Sequence, residues 1–217
     1  LAKTVYTYNG KVQKPSVTVK DSTGKPLKAG ADYTVNYPKG RKAVGRYGVQ
    51  VKLKGKYKGS RTVYFTVKPK GTSISKVTGG KKKITVTWKK QTTQTTGYQI
   101  QYSTSSNFKN AKTVTVSKNS TTKKTITGLK NGKKYYVRVR TYKTVKTGHK
   151  STKYYSNWSK SKNTASAKKS APKGNTVYVS PTGKKYHYIK SCAGKHPIKT
   201  TLKEAKKNHT PCKKCAM

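Results

Sequence analysis

The sequence predicts a mainly β protein: two β-sandwiches in tandem, then a small α+β module that closes the chain. Three observations carry this. Short apolar segments on a period of two recur through the first three quarters of the sequence, with Gly, Pro, Asn and Ser between them. A hydrophobic content of 30% is too low for one large core and suits several small ones, while the many Tyr, Val and Thr favour extended chain. All three cysteines fall after Ser191, with three of the four histidines interspersed or just ahead of them, which sets the last segment apart.

The first module spans residues 1–68. Val17 and Val19 alternate with polar neighbours, and Asp21-Ser22-Thr23-Gly24 supplies a turn. Three further strands follow, carried by Tyr33, Val35 and Tyr37, by Val49, Val51 and Leu53, and by Val63, Phe65 and Val67. Each presents one face to a core. Gly10, Gly24, Gly30, Gly40, Gly55 and Gly59 punctuate them. The run from Tyr8 to Tyr37, with Val49 to Gly59, resembles the small immunoglobulin-like (Ig-like) repeats of surface proteins of Gram-positive, Clostridia-like bacteria. That resemblance implies architecture rather than activity.

Pro69-Lys70-Gly71 reads as a linker into a second module, residues 72–168. Ile84, Val86 and Trp88 alternate, then Tyr98, Ile100 and Tyr102, then Val114 and Val116. The segment Gly128 to Arg140 resembles the fibronectin type III domain, as does Tyr155-Ser156-Asn157-Trp158-Ser159. In that resemblance Trp88 is a core residue, Tyr135 forms the tyrosine corner, and Leu129, Val137 and Val139 are buried. The family implies a spacer or binding module, and the Arg-Gly-Asp tripeptide it uses for integrin adhesion is absent here. Tyr136, Arg138, Arg140 and Tyr142 are expected on one exposed strip, just after Lys134. Interleaved cations and rings could meet a polyanion or simply clothe an outer strand. Residues 165–176, rich in Ala, Ser, Lys and Pro, read as a flexible tether.

The last module, residues 177–217, carries the chemistry. His187 and Cys192 are separated by four residues, and Cys212-Lys213-Lys214-Cys215 is a CxxC. One imidazole and three thiolates make a closed tetrahedral shell suited to structural Zn²⁺. With three thiolates that complex is anionic, so Lys195, Lys213 and Lys214 would stabilise it. Thr201 to Glu204 reads as a capping box opening a helix from about Leu202 to Lys207. The whole run resembles the zinc-binding domain of the Ada DNA-repair protein and the small cysteine-rich modules ending some bacterial secreted nucleases. That pattern implies Cys192, Cys212 and Cys215 as ligands and leaves His187, His196 or His209 as the fourth. Methyl-transfer chemistry does not carry over, because the accepting cysteine has no secure counterpart. A Cys212–Cys215 disulfide and a redox-active CxxC remain alternatives.

Charge sets the functional expectation. Lys and Arg number 52 against three acids, Asp21, Asp32 and Glu204, for a net charge of +49. Only Arg41, Arg46, Arg61, Arg138 and Arg140 are arginines. Lysine is a hydrated point charge rather than a reading fork, which favours diffuse attraction to a polyanion over sequence readout. The competing reading is that the excess charge is a trait of the source organism's habitat. Expected partners are wall polymers such as teichoic acid or host glycans, with nucleic acid as the alternative through the terminal module. Lys134, Arg138, Arg140, Lys213 and Lys214 are the candidate contacts. No carboxylate pair, nucleophile–base–acid set or phosphate loop is evident, so no enzyme is expected. No apolar run approaches the length of a membrane span, and an extracellular or surface location is expected. The chain opens at Leu1 in apparent strand, so it reads as a piece of something longer.

Overall fold

The computed structural model describes residues 1–80, 82–130, 132–164 and 176–215; apart from Thr176, the tether expected at 165–176 lies outside them. The fold divides into two compact units. One comprises Leu1–Thr78, Thr85–Ile126 and Tyr135–Thr164; the other comprises Gly79–Ile84, Thr127–Lys134 and Ala165–Met217.

At the start of the first unit, β1 (Val5–Thr7), β2 (Tyr33–Asn36), β3 (Gly45–Leu53) and β4 (Ser60–Lys68) form one sheet in the order β1-β4-β3-β2. β1 runs parallel to β4 and the other pairs are antiparallel. The alternation on β3 and β4 buries Val49, Val51, Phe65 and Val67, with Leu27 and Tyr33 beside them. All six glycines read as turn punctuation adopt φ between 62° and 112°, a region costly for any side chain. The Asp21 turn forms as expected: its carboxylate accepts from the Thr23 and Lys25 amides at 3.0 Å and from the Thr23 hydroxyl at 2.7 Å.

The strand expected at Val17 and Val19 needs correction. Both residues are half-buried and pack on the core, but they lie on no strand, and only an isolated bridge joins Lys20 to Pro26. Pro15 and Pro26 lack amide donors. Tyrosines take over the role of a ladder, with Tyr33 donating to the Val17 carbonyl at 3.1 Å and Tyr37 to that of Pro15 at 2.6 Å.

The next strands are β5 (Ile74–Gly80), β6 (Lys83–Trp88), β7 (Gly97–Ser103), β8 (Lys112–Val116), β9 (Lys123–Ile126), β10 (Tyr136–Thr147), β11 (Lys150–Tyr155) and β12 (Lys162–Asn163). They build a three-stranded sheet, β5-β6-β9, and a second sheet ordered β11-β10-β7-β8 with β12 also on β10. Val86, Trp88, Tyr98, Ile100, Val137 and Val139 are at most 2% exposed. The Tyr98 hydroxyl is held by the amide and carbonyl of Gln91 and the carbonyl of Asn119 at 2.8–3.0 Å. Leu129 and Tyr135 are buried, as the type III resemblance implies.

Pro69-Lys70-Gly71 is an anchored connection rather than a loose linker. Pro69 is buried, and the Lys70 carbonyl accepts from the fully buried Thr141 hydroxyl at 2.7 Å. Nearby, the Val44 amide donates to the Gln94 side-chain oxygen at 3.1 Å.

In the second unit, β13 (Thr176–Val179), β14 (Lys185–His187), a 3₁₀ turn at Lys190–Cys192, β15 (Ile198–Thr201), α1 (Leu202–Asn208) and β16 (Thr210–Pro211) follow in order. The sheet runs β15-β13-β14-β16. Its core is small: Val177, Val179, Tyr186 and Ala205, flanked by Tyr188 and Leu202. Half of the capping box forms, with the Glu204 amide donating to the Thr201 hydroxyl at 3.2 Å. The Glu204 carboxylate turns instead to Lys207, at 3.1 Å.

Candidate metal centre

Two short β features bring the cysteine–histidine pairs together. β14 and β16 pair in parallel, Lys185 against Thr210 and Tyr186 against Pro211. Proline suits that place, at the outer edge of a sheet where its missing donor costs nothing. The Cys212 amide then donates to the Tyr186 carbonyl at 3.0 Å, one residue from His187. Beyond β14 the chain folds into the 3₁₀ turn, where the Cys192 amide bonds the Ile189 carbonyl at 3.0 Å. The CxxC closes likewise, Cys215 amide to Cys212 carbonyl at 3.1 Å.

The result is a cluster in which His187 and the sulfurs of Cys192, Cys212 and Cys215 each offer one atom within 4.8 Å of every other. Cys192 Sγ lies 3.9 Å from Cys212 Sγ, and Cys215 Sγ lies 3.6 Å from His187 Nδ1. The four can hold a metal ion. Cys212 and Cys215 are buried, Cys192 and His187 half-buried, and all three thiols are free rather than bridged. Of the three histidines weighed for the fourth position, the cluster includes His187; His196 is exposed and His209 caps α1 at its C-terminal end.

Burial, with hydrogen bonds to Cys215 and Cys212, pushes the Cys192 thiol up to about 11. Burial also works against ionising Cys212, but the Lys214 amide and the neighbouring thiols outweigh it and hold that thiol below its ordinary value. Burial, helped by Lys185, lowers His187 and so keeps the imidazole neutral, the form that binds metal. Lys213 and Lys214 are exposed between the two cysteines.

The strip expected on β10 is built differently from the exposed row the sequence suggested. Tyr142 is only 3% exposed: Tyr155 lies opposite it with ring centres 6.2 Å apart, and Lys153 sits 5.3 Å over its ring. Arg138 donates to the Gln101 side chain at 2.7 Å and stacks over Phe108 at 4.1 Å and Trp158 at 4.9 Å. Arg140 donates twice to Gln99, at 3.0 and 2.7 Å, and lies 4.0 Å over Tyr155 and 4.2 Å over Trp158. Burial pulls both guanidinium groups below the usual arginine value. The serines of Tyr155-Ser156-Asn157-Trp158-Ser159 lock this ladder to β10. Ser156 Oγ accepts from the Thr141 amide and Ser159 Oγ from the Val139 amide, each at 3.1 Å. Sequence reasoning found the arginines and the Trp158 segment separately. It missed their union and missed Phe108, which comes from a loop with no periodic signal. Lys134 is exposed just ahead of β10.

The fibronectin type III domain family matches residues 67–157. The middle of the chain is a type III domain. Among solved structures, the FN1-FN3 domains of chicken CNTN1 are similar at 22% identity and a TM-score of 0.39, over 58% of this chain and 44% of that one. The chain thus spans less than half the length of that neighbour. No curated protein matches.

Proposed function

We propose that the chain is a non-catalytic binding and adhesion piece of an extracellular or surface protein, drawn to polyanions by its lysines and closed by a structural zinc site. The observation that carries the polyanion reading is the fate of the three carboxylates. Asp21 and Asp32 bond amides of their own turns, Asp32 to Lys28 at 2.8 Å, and Glu204 pairs with Lys207. Nearly all of the 52 basic side chains therefore look outside the chain for counter-charge. The Ig-like and Ada-like resemblances of the outer modules favour a bacterial surface or secreted protein. A type III domain at the centre agrees with a modular binding role, and no described helix is long and apolar enough to cross a membrane.

Zinc is favoured by donor chemistry and size. Tetrahedral Zn²⁺ with bonds of about 2.3 Å to sulfur and about 2.0 Å to nitrogen sets sulfur–sulfur edges near ~3.8 Å and sulfur–nitrogen edges near ~3.6 Å. Two of the six edges, Cys192–Cys212 at 3.9 Å and Cys215–His187 at 3.6 Å, match those values, and all six lie within 4.8 Å. Four protein donors leave no open position, so the ion would supply cross-linking and not a reacting water.

Retention of the full chain on an anionic polymer tests the reading. Binding should fall by orders of magnitude between about 50 and 200 mM salt. Binding that persists at ~1 M salt, where screening reaches ~3 Å, would exclude attraction by charge. Selective retention of DNA, lost on chelation, would favour the alternative of a nucleic-acid accessory protein acting through Lys213 and Lys214.

A further inference from the structure

Most of the lysines are scattered, but within the first unit two clefts meet along the junction of its two sheet systems. One, of about 490 Å³, is walled by Lys68, Arg140, Lys153, Tyr154, Tyr155 and Trp158. The other, of about 380 Å³, shares Lys68, Ser156, Asn157 and Trp158 and continues past Val5, Thr7 and Pro69. Together they make a groove rather than a hole. No carboxylate lines either cleft.

We infer that this groove is the binding site for a chain-like anionic polyol: a polymer bearing sulfate or phosphate groups on a hydroxyl-rich backbone. The inference rests on the polyanion reading above and gives it a location and a ligand chemistry. Its cations differ in kind. Arg140 is fixed by Gln99 and two rings, so one positive charge is held in place before any ligand arrives. Lys68 and Lys153 carry flexible charges on either side of the junction, and neither belongs to the arginine ladder. The Thr66 hydroxyl and the Asn157 amide offer hydrogen bonds between the charges. Two clefts in series match a repeating polymer better than a single small anion.

Two of the three rings in the groove favour a polyol chain over a nucleic acid. Base recognition on single strands needs free aromatic faces for stacking. Here Arg140 already lies over Tyr155, and both Arg138 and Arg140 lie over Trp158. A base on Tyr155 or Trp158 would have to compete with the guanidinium groups already there, whereas hydroxyls and sulfates need only edges and donors. Another cleft of the unit, about 450 Å³ between Val19, Val51, Leu53 and Lys58, has no aromatic ring on its wall.

The test uses full-length variants of equal charge. Lys68→Gln with Lys153→Gln is compared with Lys52→Gln and Lys123→Gln, two exposed lysines away from the groove. Affinities are measured for heparin, a glycerol-phosphate polymer and a thymidine oligonucleotide across a salt series. The groove pair should lose about tenfold for heparin or the glycerol-phosphate polymer at ~150 mM salt, and its salt slope should fall by roughly 1 per lysine removed. The control pair should lose less than about twofold. Heparin alone would identify a sulfated glycan, the glycerol-phosphate polymer alone a polyol phosphate, and either supports the groove. Equal losses for both pairs overturn the groove and leave diffuse attraction standing. Discrimination on the oligonucleotide only overturns the ligand assignment. A wild-type chain that binds none of the three at low salt removes the polyanion reading itself.

Discussion

Stripping metal from the His187–Cys192–Cys212–Cys215 cluster should unfold residues 176–215 and leave the type III domain intact. The module buries only Val177, Val179, Tyr186 and Ala205. At about 1.5–3 kcal/mol for each large side chain, that core contributes roughly 5–9 kcal/mol before chain entropy is set against it. A structural zinc contributes an apparent ~10–16 kcal/mol in small finger modules, so an ion held there would outweigh the hydrophobic core. Segments of about 40 residues seldom fold on a hydrophobic core alone. Hydrogen exchange read by mass spectrometry on the full chain, before and after chelation, separates the two regions. Peptides across Val177–His187 and Leu202–Asn208 should lose their protection, while those across Tyr98–Ser103 and Val137–Tyr142 keep theirs. Cys212→Ser should reproduce the pattern without chelator. Metal analysis showing a metal-free protein whose Val177–His187 amides stay fully protected would refute the reasoning, as would a Cys212–Cys215 disulfide in the purified chain.

Three further outcomes follow from contacts in the first unit. Arg140→Lys abolishes the paired bonds to Gln99 and most of the stacking on Tyr155 and Trp158, and should cost about 1–2 kcal/mol in urea unfolding of the type III domain. Gly97→Ala would drive a methyl group against the Val116 carbonyl and to 3.0 Å from the Tyr142 ring; it should destabilise by ~3 kcal/mol or more, seen as a lowered Tm. Hydrogen bonds, first from the Thr23 hydroxyl, hold the Asp21 carboxyl below its ordinary value. A depressed carboxylate stabilises above its unfolded pKa and loses that effect as pH falls through the folded one. Asp21→Ala should therefore lower Tm at pH 7 and make progressively less difference below about pH 4.

The parts of this molecule written in local pattern were legible in the sequence. Val49, Val51 and Leu53 and then Val63, Phe65 and Val67 marked β3 and β4 because a period of two needs no tertiary information. The clustering of His187, Cys192, Cys212 and Cys215 was legible because the spacing within each pair is set by the turns that carry it. Val17 and Val19 misled because alternation reports burial and not hydrogen bonding: the segment faces the core, but prolines and tyrosine hydroxyls replace its ladder. Tyr142 sits on an outward register yet is covered by Lys153 and Tyr155 from the next strand. The groove was invisible for a stronger reason, since Lys68 and Lys153 meet only through the anchored Pro69–Gly71 connection.

Counting bases by type anticipated a division of labour that the side chains carry further. Arg41 lies 5.3 Å over Tyr37, Arg46 3.5 Å over Tyr64, Arg138 4.1 Å over Phe108 and Arg140 4.0 Å over Tyr155. Arg41 also donates to the Gln13 carbonyl at 3.0 Å. These four arginines act as packing material: flat, weakly hydrated cations that cover rings where a small domain has too few apolar side chains to spare. Lysines approach rings too, at 4.9–5.6 Å, but an ammonium group has no planar fork to lay on them. The free charge of the surface is thus left to lysine, whose strong hydration and flexible stem suit reversible, salt-sensitive attachment.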